Sequence, residues 1–421
     1  MDRRPGLEPA DVRRENARSQ IRRRRSVRRK SPMKAGAERD GEGTIVIDRE
    51  RLISRFFELV RVDSETKHER EICDLLKDKF AAFGLEAEED DAAERTGHGA
   101  GNLFVWLPAS PGLESAPAVL FTCHMDTVTP GRGIRPRLDD DGYIRGDGTT
   151  ILGSDDKAGL AALLEALHVI LEEKRPHGPV QIVITVGEEA GLIGARAMDP
   201  ARLKAKYGFA LDSNGPVGDI IVAAPTQAKI DIVVRGKTAH AGVNPEDGIS
   251  AIQVAAKAVS RMPLGRIDAE TTANIGRFEG GGPTNIVCDY VKLEAEARSR
   301  DQAKLDRQVA AMREAVETAA REAGAEAEFS SEIIYPAFSF TDDDEVVRLA
   351  KAAIEAIGLA PRTLPSGGGS DANIFNGKGV PTVNLAIGYE HIHTTREQIH
   401  VENLVKTAEL VLALVAEAVK R

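Results

Sequence analysis

Five short runs of apolar residues, bounded by glycine or proline, constrain the fold of this chain more than any other feature. They lie at residues 102–107, 117–122, 180–186, 208–211 and 380–387. Because apolar residues dominate these runs, they are predicted to be strands buried on both faces of a sheet. Amphipathic helices are predicted at 49–63, 67–84 and 157–171. Strands that alternate with helices indicate an α/β domain around a central, mixed sheet.

Residues 226–334 follow a different pattern, which interrupts the α/β region. An alternating strand at 228–235 begins an element order of β-α-β-β-α-β. The later elements are predicted at 247–261 (helix), 272–279 and 284–298 (strands), 301–323 (helix) and 325–334 (strand). This order is typical of the ferredoxin-like α+β fold. We therefore predict a main domain in two parts, 45–225 and 335–421, with 226–334 inserted between them.

The amino-terminal segment differs from the rest of the chain in charge. Residues 1–34 contain thirteen Lys and Arg and four Asp and Glu, a net charge of +9, whereas the whole chain carries −10. The remainder therefore carries −19, and an acidic body argues against a nucleic-acid-binding fold. The basic residues lack aromatic partners and apolar patterning. This predicts a solvated, disordered tail over residues 1–44, or an extension upstream of a true start at Met33.

Other features of the composition concern the cellular compartment. No apolar segment follows the arginines, as a signal peptide requires, and no run approaches the ~18 apolar residues of a membrane span. The three cysteines, Cys73, Cys123 and Cys288, form no Cys-x-x-Cys pair. Such cysteine usage favours a reducing compartment. We therefore expect a cytoplasmic protein without membrane or nucleic-acid partners.

Histidine and acidic residues stand at or just after the ends of the predicted strands, and at the start of the helix at 157–171. They are His124 and Asp126, Asp155 and Asp156, Glu188 and Glu189, Asp212, and His391 and His393. Ligands in open α/β sheets gather at the carboxyl ends of strands, and zinc accepts imidazole and carboxylate ligands. Each motif alone has an ordinary explanation, such as a helix cap for Asp155 or a surface loop for the paired glutamates. Their shared placement favours a metal site, in which one glutamate binds metal and the other takes a proton from the metal's water.

Two further elements complete the predicted site. His240 stands between small residues in the turn at 236–242, where a histidine is poorly suited to core packing. The glycine run at 367–369 lets the backbone approach a ligand closely and offers N–H donors to it. A flexible loop is the alternative explanation for the glycines.

As a set, these motifs resemble those of the M20 metallopeptidase family, over about residues 47–421. The segments Gly-Ser-Asp-Asp-Lys-Ala-Gly and Ile-His-Thr-Thr-Arg-Glu are most similar to its peptidase T-like branch. The resemblance implies a zinc-peptidase-like catalytic domain that binds two divalent metal ions. Zinc is the expected metal, and cobalt and manganese are the alternatives. The resemblance implies that Asp155 bridges the two ions, that His124 and Asp212 bind one, and that Glu189 and His393 bind the other.

The resemblance also implies roles beyond the metal ligands. Asp126 would orient His124, and Glu188 would be the general base. The inserted domain would serve as a lid and as the contact of a homodimer, and would donate His240 to the partner subunit's site. The implied substrate-binding residues are Asn285, Arg298, Gly368 and Gly369.

The function predicted from these residues is hydrolysis of amide bonds in short peptides, as an aminopeptidase. Peptidase T proper usually has an arginine before its Gly-Gly-Thr-Asp, whereas Gly367 stands before Gly-Gly-Ser-Asp here, so specificity for tripeptides is not implied. Within the same chemistry, the alternative is a carboxypeptidase or an N-acyl-amino-acid amidohydrolase. The alternative of another class is a catalytically inactive binding or scaffold homologue. Such a homologue is expected to lack a ligand or the base, whereas all are present here.

Overall fold

The computed structural model describes residues 47–421, so the predicted tail at residues 1–44 lies outside the described residues. Ten α-helices occur in this part of the chain. They are α1 (Arg49–Val60), α2 (Arg70–Ala82), α3 (Ala92–Thr96), α4 (Ser154–Glu172), α5 (Ile193–Ala197), α6 (Ala251–Arg261), α7 (Gln302–Ala323), α8 (Glu345–Ala356), α9 (Asp371–Gly377) and α10 (Val401–Ala418). None of these helices of residues 47–421 is long and apolar enough to cross a membrane.

Eighteen β-strands lie in the same described residues and form three sheets. They are β1 (Ala87–Glu89), β2 (Leu103–Leu107), β3 (Val119–His124), β4 (Arg137–Leu138), β5 (Tyr143–Arg145), β6 (Val180–Thr185), β7 (Tyr207–Ser213), β8 (Asp219–Ala224), β9 (Thr226–Arg235), β10 (Gly265–Arg266), β11 (Thr271–Gly280), β12 (Tyr290–Ser299), β13 (Glu326–Tyr335), β14 (Phe338–Ser339), β15 (Arg362–Pro365), β16 (Thr382–Ala386), β17 (Tyr389–Glu390) and β18 (Gln398–His400). The five apolar runs coincide with β2, β3, β6, β7 and β16, as predicted.

The largest sheet, here called the central sheet, has the strand order β1-β2-β6-β3-β7-β16-β8-β14, and β15 also pairs with β8. β3 runs parallel to β6 and β7, and β16 runs parallel to β7. The pairs β1–β2, β2–β6 and β8–β14 are antiparallel, which confirms the predicted mixed sheet. Because β6, β3, β7 and β16 are parallel, their carboxyl ends all lie along one edge of the sheet.

Helices cover the central sheet because its inner strands are apolar on both faces. Every residue of β3 and β6 is buried, and α4 packs against β3, β7, α1 and α10. A buried ion pair also joins α1 to α4. The Glu165 carboxylate of α4 is fully buried, accepts hydrogen bonds from Arg51 Nε at 3.0 and 3.1 Å, and lies 3.2 Å from Arg55 Nε.

Residues 226–335 form a second, antiparallel sheet, with the strand order β10-β11-β12-β9-β13. α6 and α7 pack on this sheet through a core that includes Ile230, Ile232 and Leu293. The order β9-α6-β11-β12-α7-β13 is the predicted β-α-β-β-α-β, with β10 as an additional two-residue strand. The α+β part of the fold is therefore confirmed, while its division from the main domain and its role as a lid stay predictions.

Two elements in this region begin later than the sequence pattern indicates. The helix predicted from residue 247 begins at Ala251, because the Ser250 hydroxyl accepts a hydrogen bond from the Gln253 N–H at 3.3 Å and caps the helix there. The strand predicted from residue 284 begins at Tyr290. The residues before Tyr290 do not continue the strand, because they contact the turn at 236–242, where the Val287 N–H donates to the Ala239 carbonyl at 2.9 Å.

A small sheet with the strand order β17-β18-β5-β4 is not evident from the sequence pattern. Its strands have two or three residues each, too few to leave a periodic signal. β17 pairs with β18 through Tyr389 opposite Ile399 and Glu390 opposite Gln398. This pairing anchors both ends of the segment that contains His391 and His393.

Candidate metal centre

The four parallel strands carry most of the predicted ligands to one edge of the central sheet. His124 is the last residue of β3, and Asp212 is the next-to-last residue of β7. Glu189 follows the end of β6, and His393 follows β17. Asp155 lies at the start of α4, after the left-handed Gly153 (φ +74°).

The carboxylate of Asp155 lies between the two histidines. Its Oδ1 is 3.0 Å from His124 Nε2, and its Oδ2 is 3.3 Å from His393 Nε2. Asp212 Oδ1 is 3.7 Å from the same nitrogen of His124, and Glu189 Oε1 is 3.0 Å from His393 Nε2. The five predicted ligands are therefore brought together in two groups, one on each oxygen of Asp155.

Two sets of three side chains have ligand atoms within 4.8 Å of one another, and neither is one of the predicted groups, which place His124 and Glu189 on different ions and do not include Asp156. The first set is His124, Asp155 and Glu189, and the second is His124, Asp156 and Asp212. We favour Asp155 over Asp156 as a ligand, because imidazole nitrogens face both oxygens of Asp155. Asp156 is instead fully buried, and its Oδ2 accepts a hydrogen bond from the His124 backbone N–H at 3.2 Å. The peptide bond between the two aspartates is cis.

Asp126 contacts both His124 and the turn that carries the paired glutamates. His124 Nδ1 lies 3.0 Å from the Asp126 backbone carbonyl and 3.5 Å from its Oδ1. The carboxylate also accepts hydrogen bonds from the N–H groups of Glu188 (3.0 Å) and Glu189 (3.3 Å), and from the Thr66 hydroxyl (2.6 Å). The Asp126 backbone carbonyl therefore lies closer to His124 Nδ1 than the Asp126 carboxylate, which was predicted to orient the histidine. The carboxylate mainly holds the turn that carries Glu188 and Glu189.

Glu188 differs from its neighbour because its carboxylate is free. It lines the cleft above the cluster and makes no hydrogen bond or ion pair with another of the described residues. Burial, together with the negative charges of Asp212, Asp371 and Glu189, raises the pKa of Glu188 well above its ordinary value. A free carboxylate with a raised pKa is suited to exchange protons with water or substrate.

The cleft has a volume of about 380 Å³. The predicted residues Arg298, Gly368 and Gly369 line it together with Glu188 and four of the metal-ligand candidates, Asp155, Glu189, Asp212 and His393. A Cβ atom on Gly369 would lie 2.3 Å from the Tyr335 ring, so only glycine fits between this ring and the cleft. The remaining lining residues are Ser213, Asn214, Ile221, Ala224, Phe338, Ser366, Ser370, Asn384, Tyr389 and Ile392.

His240 and Asn285 neither line the cleft of their own chain nor make a hydrogen bond to the ligand cluster among the described residues. His240 and Asn285 are both exposed and lie in adjacent turns, where the Ala241 N–H donates to the Asn285 carbonyl at 2.9 Å. His240 Nδ1 accepts a hydrogen bond from the Gly242 N–H at 3.1 Å, which fixes the ring within its turn. The described part of one chain therefore contains the metal-ligand candidates and Glu188 at the site, without His240.

Sequence analysis missed polar residues that hold the ligand candidate Asp212. The Tyr389 hydroxyl donates to Asp212 Oδ1 at 3.0 Å. The Asn384 side chain accepts from the Asp212 N–H at 3.0 Å and donates to its carbonyl at 2.6 Å. Asn384 interrupts the apolar run at 380–387, and a polar residue in a buried strand is a signal that could have marked it. Tyr389 carries no comparable signal, since aromatic residues are common beside apolar strands.

We expect metal binding to tighten as the pH rises from about 7 towards 10. Burial and the charge of Asp155 raise the pKa of Asp212 to about 7, and hydrogen bonds with Asp155 and Glu189 raise the pKa of His393 to about 10. At neutral pH in the metal-free protein, His393 therefore holds its proton and Asp212 is about half protonated. Metal binding requires both to be deprotonated, so it releases protons, and its affinity increases with pH.

Titration calorimetry in two buffers of equal pH and different ionisation enthalpy measures the number of protons released. Changing Asp212 to Asn should lower that number, because one protonated ligand is removed. Metal binding at neutral pH without any proton release would contradict the assigned ligands.

Comparison with known proteins gives consistent relatives along almost the whole described chain. The model of peptidase family M20/M25/M40 matches residues 120–417. An uncharacterized protein of Bacillus subtilis, YqjE, is 56% identical over 375 residues, which are 89% of this chain and 100% of YqjE. Peptidase T of Geobacillus kaustophilus is 26% identical over 419 residues, covering 87% of this chain and 98% of that protein.

Solved structures of similar length share the same fold. The aminopeptidase PepT from Bacillus cereus superposes with a TM-score of 0.82 and is 59% identical, covering 89% of this chain and 100% of its own. A tripeptidase from Staphylococcus aureus superposes with a TM-score of 0.85 at 48% identity and the same coverage.

Proposed function

Because this chain belongs to peptidase family M20/M25/M40, as a metal-dependent hydrolase of its peptidase T-like branch, we propose that it is a two-zinc aminopeptidase of short peptides. The observation that carries the proposal is the position of Asp155, whose two oxygens each face a different histidine at 3.0 and 3.3 Å. A carboxylate that bridges two ions requires this arrangement. The names of the relatives support peptides as substrates, since PepT is an aminopeptidase and the Staphylococcus aureus protein a tripeptidase.

The donor set of the cluster fits two divalent cations. Three carboxylates converge on two imidazoles, so the cluster is acidic and favours a cation of charge +2 on each side of Asp155. The nearby buried amine of Lys157 does not neutralise the cluster directly, because it donates to the Ser64 hydroxyl and the Met125 carbonyl. Zinc accepts imidazole and carboxylate in this ratio, and cobalt and manganese share such ligands.

The bound ions would supply Lewis-acid polarisation of the scissile carbonyl and would lower the pKa of the attacking water. Glu188 would take the proton from that water, since its carboxylate is free and lines the cleft. The same carboxyl group would then deliver the proton to the leaving amine. The backbone N–H bonds from Glu188 and Glu189 to Asp126 hold the base and its ligand neighbour in fixed relative positions.

Substrate recognition would use the lining residues of the cleft that are not ligand candidates. Among the described residues that line the cleft, Arg298 is the one arginine, and no lysine is present. Its guanidinium is held by Glu296 through bonds of 2.9 and 3.0 Å. We infer that Arg298 attracts the carboxylate end of a short peptide, while Gly368 and Gly369 present backbone N–H groups to its amides.

The zinc-loaded protein should hydrolyse a panel of di- and tripeptides with a free amino terminus, and fail on the same peptides after N-acetylation. An aminopeptidase needs the free amine, whereas an acylase acts on the blocked substrate. Chromatography of the products, with metal analysis of the same sample, gives the measurement. Cleavage of N-acetyl-amino acids, or release of the carboxyl-terminal residue from blocked peptides, would favour the alternative amidohydrolase or carboxypeptidase. Absence of turnover on every amide tested would favour an inactive binding homologue.

We also propose a homodimer, in which the inserted region of one subunit completes the site of the other. His240 and Asn285 are exposed and lie away from the cleft of their own chain, although the family resemblance gives both a role at the substrate. Val243 and Ile286, beside them, expose 75% and 45% of their surface. Contact with a partner would cover these apolar residues, and His240 of the partner subunit would then face the oxyanion.

Mixing two inactive variants tests this shared site. His240→Ala and Glu188→Gln should each be inactive as pure dimers. After exchange of subunits, one site of each heterodimer would combine an intact Glu188 with an intact His240, restoring about a quarter of the wild-type activity for a symmetric dimer. Mixtures that stay inactive after subunit exchange has been verified, or a fully active monomer in sedimentation, would contradict the proposal.

A further inference from the structure

One buried carboxylate outside the predicted ligand set holds the segment that precedes Asp155. Glu397 is 2% exposed, and its two oxygens accept four hydrogen bonds. Oε2 accepts from the N–H groups of Leu152 and Gly153, both at 2.9 Å. Oε1 accepts from the Ser154 hydroxyl at 2.6 Å and from the Asp155 N–H at 3.0 Å.

The backbone of this segment needs such an acceptor. Gly153 is left-handed, and Asp155 has extended dihedral angles (φ −86°, ψ 99°), so the first residues of α4 are not helical. The N–H groups of Leu152 and Gly153, which precede α4, and of Asp155 therefore have no partner within a regular helix, and buried N–H groups without partners are costly. The Glu397 carboxylate satisfies three of them at once and leaves the Asp155 side chain free to face both histidines.

Glu397 is joined to His393, the second histidine of the cluster, through a short turn. Glu397 lies four residues after His393, and its N–H donates to the Thr394 carbonyl at 3.1 Å. The Thr394 hydroxyl donates to the His391 carbonyl at 2.7 Å. His393 itself has a left-handed backbone (φ +61°), which is unfavourable for a residue other than glycine unless its surroundings hold it.

We propose that Glu397 is a positioning residue that sets the placement of Asp155 relative to His393, and thereby the geometry of the metal pair. The inference rests on the proposed function in that it takes both residues as metal ligands. Glu397 does not contact the ligand side chains or the cleft; it acts through the backbone that carries them. Groups that orient metal ligands from behind contribute roughly 10–100-fold to metal affinity or activity.

The test is the variant Glu397→Gln, which keeps the size of the side chain but turns an N–H₂ group towards two of the four donors. We expect roughly 10–100-fold weaker binding of Zn²⁺ in competition with a chelator, and a changed visible spectrum of the Co²⁺-loaded protein. Because Co²⁺ absorption reports ligand geometry, a merely structural contribution to folding would not alter it.

Glu165→Gln is the matched control. Glu165 is an equally buried carboxylate of α4, about 15 Å along the helix from Asp155 at 1.5 Å per residue, and it pairs with arginines of α1. Its loss should lower stability to urea and leave the Zn²⁺ affinity and the Co²⁺ spectrum unchanged. Equal changes of affinity and spectrum in both variants would overturn the proposal, since general loosening would then explain them.

Wild-type affinity and spectrum in Glu397→Gln would also overturn it. If that variant does not fold, Ser154→Ala decides the question, because it removes one of the four bonds and keeps the carboxylate. A several-fold loss of Zn²⁺ affinity then supports the proposal, and wild-type affinity overturns it. Both measurements need no peptide. A wild-type protein that binds metal but cleaves no peptide would therefore refute the proposed function alone. Peptide turnover by the wild-type protein, together with wild-type Zn²⁺ affinity and Co²⁺ spectrum in the variants, would refute this inference alone.

Discussion

Replacing Glu188 by Gln is expected to lower kcat by roughly 10²–10⁴-fold, the range of a general base, and to leave both metal ions bound. The Glu188 carboxylate has no partner among the described residues and lines the cleft, so an amide of the same size removes the proton acceptor without disturbing a contact. Its backbone N–H still donates to Asp126. Metal analysis and peptide turnover on the same sample give the measurement.

Glu189, the neighbour of Glu188, provides a control in which metal should be lost rather than retained. Glu189 lies 3.0 Å from His393 Nε2, so Glu189→Gln should lose metal as well as activity. Retained turnover in Glu188→Gln would exclude it as the base. Loss of metal from that variant, with metal retained in Glu189→Gln, would exchange the two roles.

The largest effect on metal content is expected from Asp155→Asn. An asparagine keeps one oxygen but presents an N–H₂ group to one of the two histidines, so it cannot bridge. Affinity for metal should fall by more than roughly 100-fold, because groups that only support a ligand already contribute 10–100-fold. Peptide hydrolysis should be lost with the metal. Equilibrium dialysis with Zn²⁺ and calorimetry provide the affinities.

Asp156→Asn distinguishes the two neighbouring aspartates. Burial raises the pKa of Asp156 well above its ordinary value, which favours the neutral carboxyl form, and an amide is a neutral group of similar size. Among the described residues, Asp156 Oδ2 accepts from the His124 backbone N–H, a bond that the asparagine oxygen can keep. We expect metal affinity within a few-fold of wild type. A variant at Asp156 that loses metal, beside one at Asp155 that retains it, would reverse the ligand assignment.

Local pattern predicted the strands and the residues at their ends, because a buried strand excludes polar side chains until the chain leaves the sheet. His124 and Asp212 were found in this way, each at the end of an apolar run that became β3 or β7. The β-α-β-β-α-β order was also evident, since its strands alternate and its helices have one apolar face. Strands of two or three residues, such as β17, left no signal.

Which of these residues contact one another was decided by the tertiary structure. Local pattern does not distinguish Asp155 from Asp156, which the family resemblance separates, nor does it mark Glu397, which lies 242 residues from Asp155 and accepts its N–H. Such contacts depend on the order in which strands pair: β16 adds beside β7, and the segment after it then reaches the start of α4. Sequence by itself determined which side chains could bind metal, because burial and periodicity act locally. Their proposed division between two metal positions rests on contacts across the sheet edge, which no local pattern contains.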